Sequence, residues 1–202
     1  ATVWVKVPSI PTTGTQVYLY YGNTDAEPVS NGDTTFVFFD DFSGSSLDAS
    51  KWVSTDGVSL SGGICSLSSS GSANYFQTIP DFGIGHAARF RWMTATEQNY
   101  IAHGFYQSSA NRAQLYYNGG LKYITTKDGT SSISSHPNSY TSFAPWEIQR
   151  GSTSLVRYVY NDGPSTAVTT NVPTLNLPVA FRLSGPSGTT SSDFDLSLIH
   201  IS

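Results

Sequence analysis

The stretch FVFFDDFSGSSLDASKW, residues 36–52, joins a run of apolar and aromatic residues to two adjacent carboxylates, a Gly/Ser turn and a tryptophan. Side chains on a strand alternate between its two faces, so Asp40 and Asp41 point to opposite sides and cannot jointly flank one scissile bond. Three roles stay open for the pair: half of an acid/base pair completed by a distant residue, a metal ligand, or the polar entry to a β-sandwich.

Outward from this stretch, almost every periodic segment alternates with period two and is rich in β-branched or aromatic residues, which favours strands over helices. TVWVKV, QVYLYYG, GGICSLS, ANYFQTI, HAARFRWMT, YIAHGFYQS, RAQLYYN, LKYITT, WEIQR, SLVRYVYN, TAVTTNV, PVAFRLS and FDLSLIHI all read this way, with Gly, Asn, Asp or Pro between nearly all of them. YYNGGLKY carries a hairpin signal of the Asn-Gly type. LDASKW holds the one helical turn, capped by Asp48 or Ser50. About a dozen short strands predict an all-β protein: an antiparallel two-sheet β-sandwich of jelly-roll type. The turn-rich NTDAEPVSNGDT, residues 23–34, divides the chain into a β-hairpin segment, 1–35, and a sandwich, 36–202. A lone hairpin is marginal in water, so the first segment is expected to pack on the second.

Composition narrows the function. Charged residues are 12% of the 202, and the net charge is −4. With ten Lys and Arg, the counterion release that drives nucleic-acid binding is largely missing, so nucleic acid is not an expected partner. No apolar run approaches the roughly 20 residues of a membrane helix, so membrane insertion is not expected. Cys65 is the only cysteine, which precludes an intrachain disulfide or zinc cluster; in GGICSLS it reads as a small buried apolar residue. A Ser/Thr-rich, Lys-poor β protein beginning at Ala suggests a mature or excised piece of an extracellular or cell-surface protein.

Two resemblances add to this reading. VWVKVPSIPTTGTQVYLYYGNTDAEPVSNGDTTFVFFDDFSG resembles the C-terminal part of the domain of unknown function 2341, a module of secreted and surface prokaryotic proteins, in its W-V-K-V-P-x-I-P, Y-L-Y-Y-G-N and D-D-F order. From FDDFSGSSLDASKW onward, through PWEIQRGSTSLVRYVYNDG and PVAFRLSG, the chain is similar to the concanavalin A-like lectin/glucanase superfamily (laminin G-like), which implies the sandwich more firmly than an activity. The closing LSLIHIS resembles translated sequencing-adapter read-through, as in a metagenomic assembly, so residues 196–202 are given no functional weight.

Glucanases of this superfamily place Glu-x-Asp-x-(x)-Glu on one strand. Here the three glutamates, Glu27, Glu97 and Glu147, lie far apart, and carboxylates at i and i+2 occur as Asp25 and Glu27, within the turn-rich 23–34 stretch, and as Asp193 and Asp195. There is no G-x-S-x-G elbow, and the four histidines lack metal-ligand spacing. The expectation is a chain that is not an enzyme. The superfamily resemblance implies a structural calcium where first and last strands meet, with Asp41 and Asp195 as metal ligands, joined by Asp40.

Sugar-binding surfaces combine flat aromatic rings with planar polar groups. In HAARFRWMT, Arg89 and Arg91 share the face opposite Ala88, Phe90 and Trp92, an unusual pairing in a charge-poor chain. Gln114 and Tyr116 alternate with Leu115 and Tyr117, and His103 and Tyr106 fall on a neighbouring strand. Arg89, Arg91, His103, Tyr106, Gln114 and Tyr116 are therefore the candidate ligand-binding set, with Gln149 and Arg182 as additions; His103 also reads as a hydrogen-bonded strand histidine. The expected function is a non-catalytic carbohydrate-binding module for a plant or microbial polysaccharide, one domain of a larger secreted or surface protein. The alternative is a structural or adhesive β module that assembles by edge-strand pairing.

Overall fold

The computed structural model describes residues 3–27, 29–69, 71–94, 100–117, 119–136, 142–184 and 190–201. A four-residue helix, α1 (Gly32–Thr35), precedes the sheets, its first turn capped by the Asn31 side chain, which accepts from the Thr34 amide. Among the described residues fifteen strands follow: β1 (Phe38–Asp40), β2 (Trp52–Ser54), β3 (Val58–Ser61), β4 (Ile64–Ser69), β5 (Asn74–Thr78), β6 (His86–Thr94), β7 (Tyr100–Ser108), β8 (Asn111–Tyr117), β9 (Leu121–Lys127), β10 (Thr130–Ser135), β11 (Ala144–Ser152), β12 (Leu155–Tyr160), β13 (Thr166–Val168), β14 (Val179–Ser184) and β15 (Thr190–Ile201). They form the predicted pair of antiparallel sheets. One runs β13-β12-β11-β6-β15-β4-β3, with β1 pairing the far end of β15; the other runs β10-β9-β8-β7-β14-β5-β2.

Aromatic rings fill the space between the sheets. Phe76 stacks on Phe181 at 4.8 Å, Phe181 meets Phe194 at 4.6 Å and Phe90 at 5.1 Å, and Trp52 meets Phe38 edge-on at 4.9 Å. Each such ring removes most of its apolar surface from water, worth about 2–3 kcal/mol apiece relative to exposure. Cys65 lies in this core, fully buried, and burial pushes its thiol up to about 12.

The Asp40-Asp41 stretch is the fold's entry. The Asp40 carboxylate accepts the Trp52 indole N–H at 2.7 Å and the Phe42 amide at 2.8 Å, tying the end of β1 to the start of β2. Phe42 takes a left-handed φ of +55° there and is fully buried. Asp48 accepts from the Ser50 amide and hydroxyl, so LDASKW is a capped turn rather than a helix.

One expectation is corrected. Residues 3–7 and 16–22, from TVWVKV and QVYLYYG, form no strand: Val17–Tyr21 are exposed, without a ladder partner among the described residues. Trp4, from the same segment, does pack on the sandwich, with its ring 5.5 Å from Phe36 and 5.0 Å from His200. Residues 196–201 lie in β15, which pairs with both β1 and β6, and Leu198 and Ile199 are buried. Among the described residues no helix is long and apolar enough to cross a membrane.

Candidate functional site

The outer face of the seven-stranded sheet follows from alternation. On β8, Ala113, Leu115 and Tyr117 face the core, which sends Arg112, Gln114 and Tyr116 outward. On β7, Ile101, His103 and Phe105 face inward, which leaves Ala102, Gly104 and Tyr106 outside. On β14, Val179, Phe181 and Leu183 face inward, with Ala180 and Arg182 opposite. Register aligns these positions in rows. Gln114, Gly104 and Ala180 lie side by side across three strands; Arg112 sits opposite Tyr106 on one flank, and Tyr116, Ala102 and Arg182 line the other.

Long side chains close over the middle row. Arg112 reaches along β8 until its guanidinium lies 5.7 Å from the centre of the Tyr116 ring, so the two meet over Gln114 between them. Arg182 reaches the Tyr106 ring at 4.2 Å, crossing above Gly104 and Ala180. Position 104 requires glycine because φ is +126° and a Cβ there would point toward the core, 2.4 Å from Ile148 Cδ1 and 2.7 Å from the Ala113 carbonyl oxygen. The Tyr100 ring packs edge-on against Tyr116 at 4.9 Å, and its hydroxyl accepts from Arg112 Nη1 at 3.3 Å.

Gln114 is fully buried, and neither its amide nitrogen nor its amide oxygen has a hydrogen-bond partner. A buried amide left unpaired costs about 1–3 kcal/mol. Such a group on the outward side of a sheet has bonding capacity left for a ligand that displaces the side chains above it.

The other expected site residues fall elsewhere. Arg89 and Arg91 lie on the outer face of the eight-stranded sheet, because β6 joins β11 and β15 whereas β7 crosses to the opposite sheet. Consecutive strands in different sheets turn their outer faces to opposite sides of the molecule, so the six candidates do not share one surface. Arg89 pairs with Asp162 at 2.7 Å and Glu147 at 3.4 Å, and Arg91 pairs with Asp195. Gln149 donates to Glu147 at 2.6 Å, and His200 lies 3.4 Å from the same carboxylate. Burial pushes the Glu147 carboxyl up, but bonds from His200 and Gln149 and the charge of Arg89 outweigh it and hold it below the usual range. Trp4, Arg89, Glu147, Gln149 and Asp162 line a cavity of about 520 Å³.

His103 is neither a surface ligand nor a hydrogen-bonded strand histidine. It is fully buried, 4.7 Å from Trp92, 4.9 Å from Phe194 and 5.6 Å from Phe181, and both ring nitrogens lack partners. Desolvation pushes its pKa down to about 3. The sequence signal was available: His103 has the parity of Ile101 and Phe105.

The expected calcium ligands do not come together as a donor set. Among the described residues no three His, Cys, Asp or Glu side chains converge as metal donors. Asp40 is bound by Trp52 and Phe42, bonds from Ser43 hold the Asp41 carboxyl below its usual range, and Asp195 is paired with Arg91.

Comparison with known proteins agrees with the architecture. The family model of the Domain of unknown function (DUF2341) matches residues 1–55, a span that extends through β1 and β2. No curated protein sequence matches the chain. An uncharacterised protein from Mycobacterium paratuberculosis superposes with a TM-score of 0.70 at 15% identity, over 81% of this chain and 100% of that one. A glycosyl hydrolase family 16 protein from Mycobacterium smegmatis gives 0.64 at 15% identity, over 81% and 99%. The β-glucanase of Bacillus licheniformis gives 0.65 at 11%, over 82% and 98%.

These neighbours correct the expectation of a chain that is not an enzyme. Glycoside hydrolases are among the proteins that share this fold. Of the glutamates, Glu27 is exposed, Glu147 is committed to Arg89, and Glu97 lies outside the described residues.

Proposed function

We propose that this chain recognises a polysaccharide on the outer face of its seven-stranded sheet, as part of an extracellular or surface protein. The observation that carries the reading is Gln114, a buried and unpaired amide in a row framed by Tyr106, Tyr116, Arg112 and Arg182. Tyrosine rings supply flat apolar surfaces for sugar C–H groups, while amide and guanidinium groups form bonds to hydroxyls. The charge-poor, hydroxyl-rich composition supports a location outside the cell.

A second reading, cleavage of the bound polysaccharide, is favoured by the glucanase neighbours. None of the seven strands carries an Asp or Glu, so a catalytic carboxylate would have to come from outside them.

Affinity electrophoresis against a glycan panel, with reducing-end release followed in the same samples, tests both readings. The expected result is saturable retention that falls by about tenfold, or 1.4 kcal/mol, in Tyr116→Ala. Release of reducing ends would carry the reading on to cleavage. Neither retention nor release on any glycan, with folding verified by circular dichroism, would sink it.

A further inference from the structure

Charge is divided unevenly between the sheets. The strands of the seven-stranded sheet carry Arg112, Lys122, Lys127 and Arg182 and no acidic residue, although acidic residues outnumber basic ones, 14 to 10, in the whole chain. On the opposite sheet, Arg89 and Arg91 have carboxylate partners, Arg150 is spent on backbone carbonyls, and Arg157 is exposed to solvent rather than held against a tyrosine ring. Among the described residues, Arg112 and Arg182 have no carboxylate within ion-pair distance.

Both guanidiniums are held against tyrosine rings, over neighbouring positions of the row that contains Gln114. Arg112 is fixed further by bonds from Nε to Thr126 Oγ1 at 3.2 Å and from Nη1 to the Tyr100 hydroxyl. A guanidinium offers five N–H donors in a planar fork that matches an oxyanion, and ring stacking reduces the side-chain freedom lost on binding. Two half-buried cations without counter-ions, beside an unpaired amide, make a face shaped for negative charge.

Resting on the reading of this face as a polysaccharide site, we propose that its ligand is an anionic glycan. Carboxylate or sulfate groups on the sugar would pair with Arg112 and Arg182 while sugar faces lie on Tyr106 and Tyr116. The net charge of −4 makes indiscriminate attraction to polyanions unfavourable, so any anion preference must arise from this local face.

The test compares polygalacturonate, its methyl-esterified counterpart, a sulfated galactan and a neutral β-glucan. Retention on at least one charged polymer should exceed that on both uncharged ones by about tenfold, and should weaken as salt rises from about 50 mM to about 500 mM. Polygalacturonate against sulfated galactan tells carboxylate from sulfate recognition. Arg112→Gln and Arg182→Gln should each remove the preference, and Arg157→Gln, on the opposite sheet, should leave it intact. If either arginine variant fails to fold, Lys122→Gln should still reduce the preference.

Equal retention on the charged and esterified polymers, or equal loss in Arg157→Gln, would overturn the inference. Retention on the neutral β-glucan alone would also overturn it while leaving polysaccharide recognition standing. No retention on any polymer, with no reducing ends released from any of them, would remove both.

Discussion

Replacing Arg150 with alanine is expected to lower folding stability by about 4 kcal/mol, enough to consume a large part of a typical domain's margin. Arg150 is fully buried on β11 and donates from Nη1 to the Phe82 carbonyl at 2.7 Å and from Nη2 to those of Pro173 and Leu175 at 2.8 and 2.6 Å. Its guanidinium lies 5.2 Å from the centre of the Phe105 ring. Burial pushes its pKa down to about 10, so it remains charged at neutral pH. Removing it strands three carbonyls and opens a cavity between the sheets. Arg150→Met restores much of the volume but none of the bonds, so about half of the loss should remain. Urea unfolding at fixed slope measures both variants, and a loss below about 1 kcal/mol for alanine would show that water takes over the carbonyls.

The second large effect is a dependence on acid. His103 has a folded pKa of about 3 because burial among aromatic rings disfavours the imidazolium. The unfolded chain binds that proton near pH 6.5. A depressed pKa gives stability that is complete above the unfolded value and is lost as pH falls toward the folded one. Between pH 7 and pH 5 this single site should remove about 2 kcal/mol. His103→Leu should abolish that part of the slope and, with two unpaired ring nitrogens gone, should be more stable than the parent at pH 5. Melting temperatures of both chains across this range decide the matter; parallel curves would mean that His103 is solvated or bonded in solution.

Much of the fold was legible because alternation is a local signal. HAARFRWMT, RAQLYYN and PVAFRLS read as strands and are β6, β8 and β14. The Ser-rich TSSISS of β10 and the three residues of β2 carry too little hydrophobic contrast to stand out. QVYLYYG has the pattern without the ladder, since a strand also needs a partner edge that its own residues do not specify. The same limit explains the divided site. Alternation showed that Gln114 and Tyr116 share a face, but not that β6 and β7 enter different sheets, which is what separates Arg89 and Arg91 from them. Arg150 was missed because it is charged, although its parity with Trp146 and Ile148 placed it in the core.

The solitary thiol has a practical consequence. With Cys65 buried and its pKa near 12, less than about one molecule in a thousand presents a thiolate at pH 8, whereas an opened chain presents roughly a quarter. Alkylation of the native protein must therefore pass through an opening that exposes β4, and its rate reports how often that happens. One cysteine gives one unambiguous chromophore or mass signal, so the labelling rate over a urea series separates local fraying from global unfolding. A rate that tracks the global transition would mark β4 as part of the last structure to open, and a rate insensitive to urea would mark it as a flap.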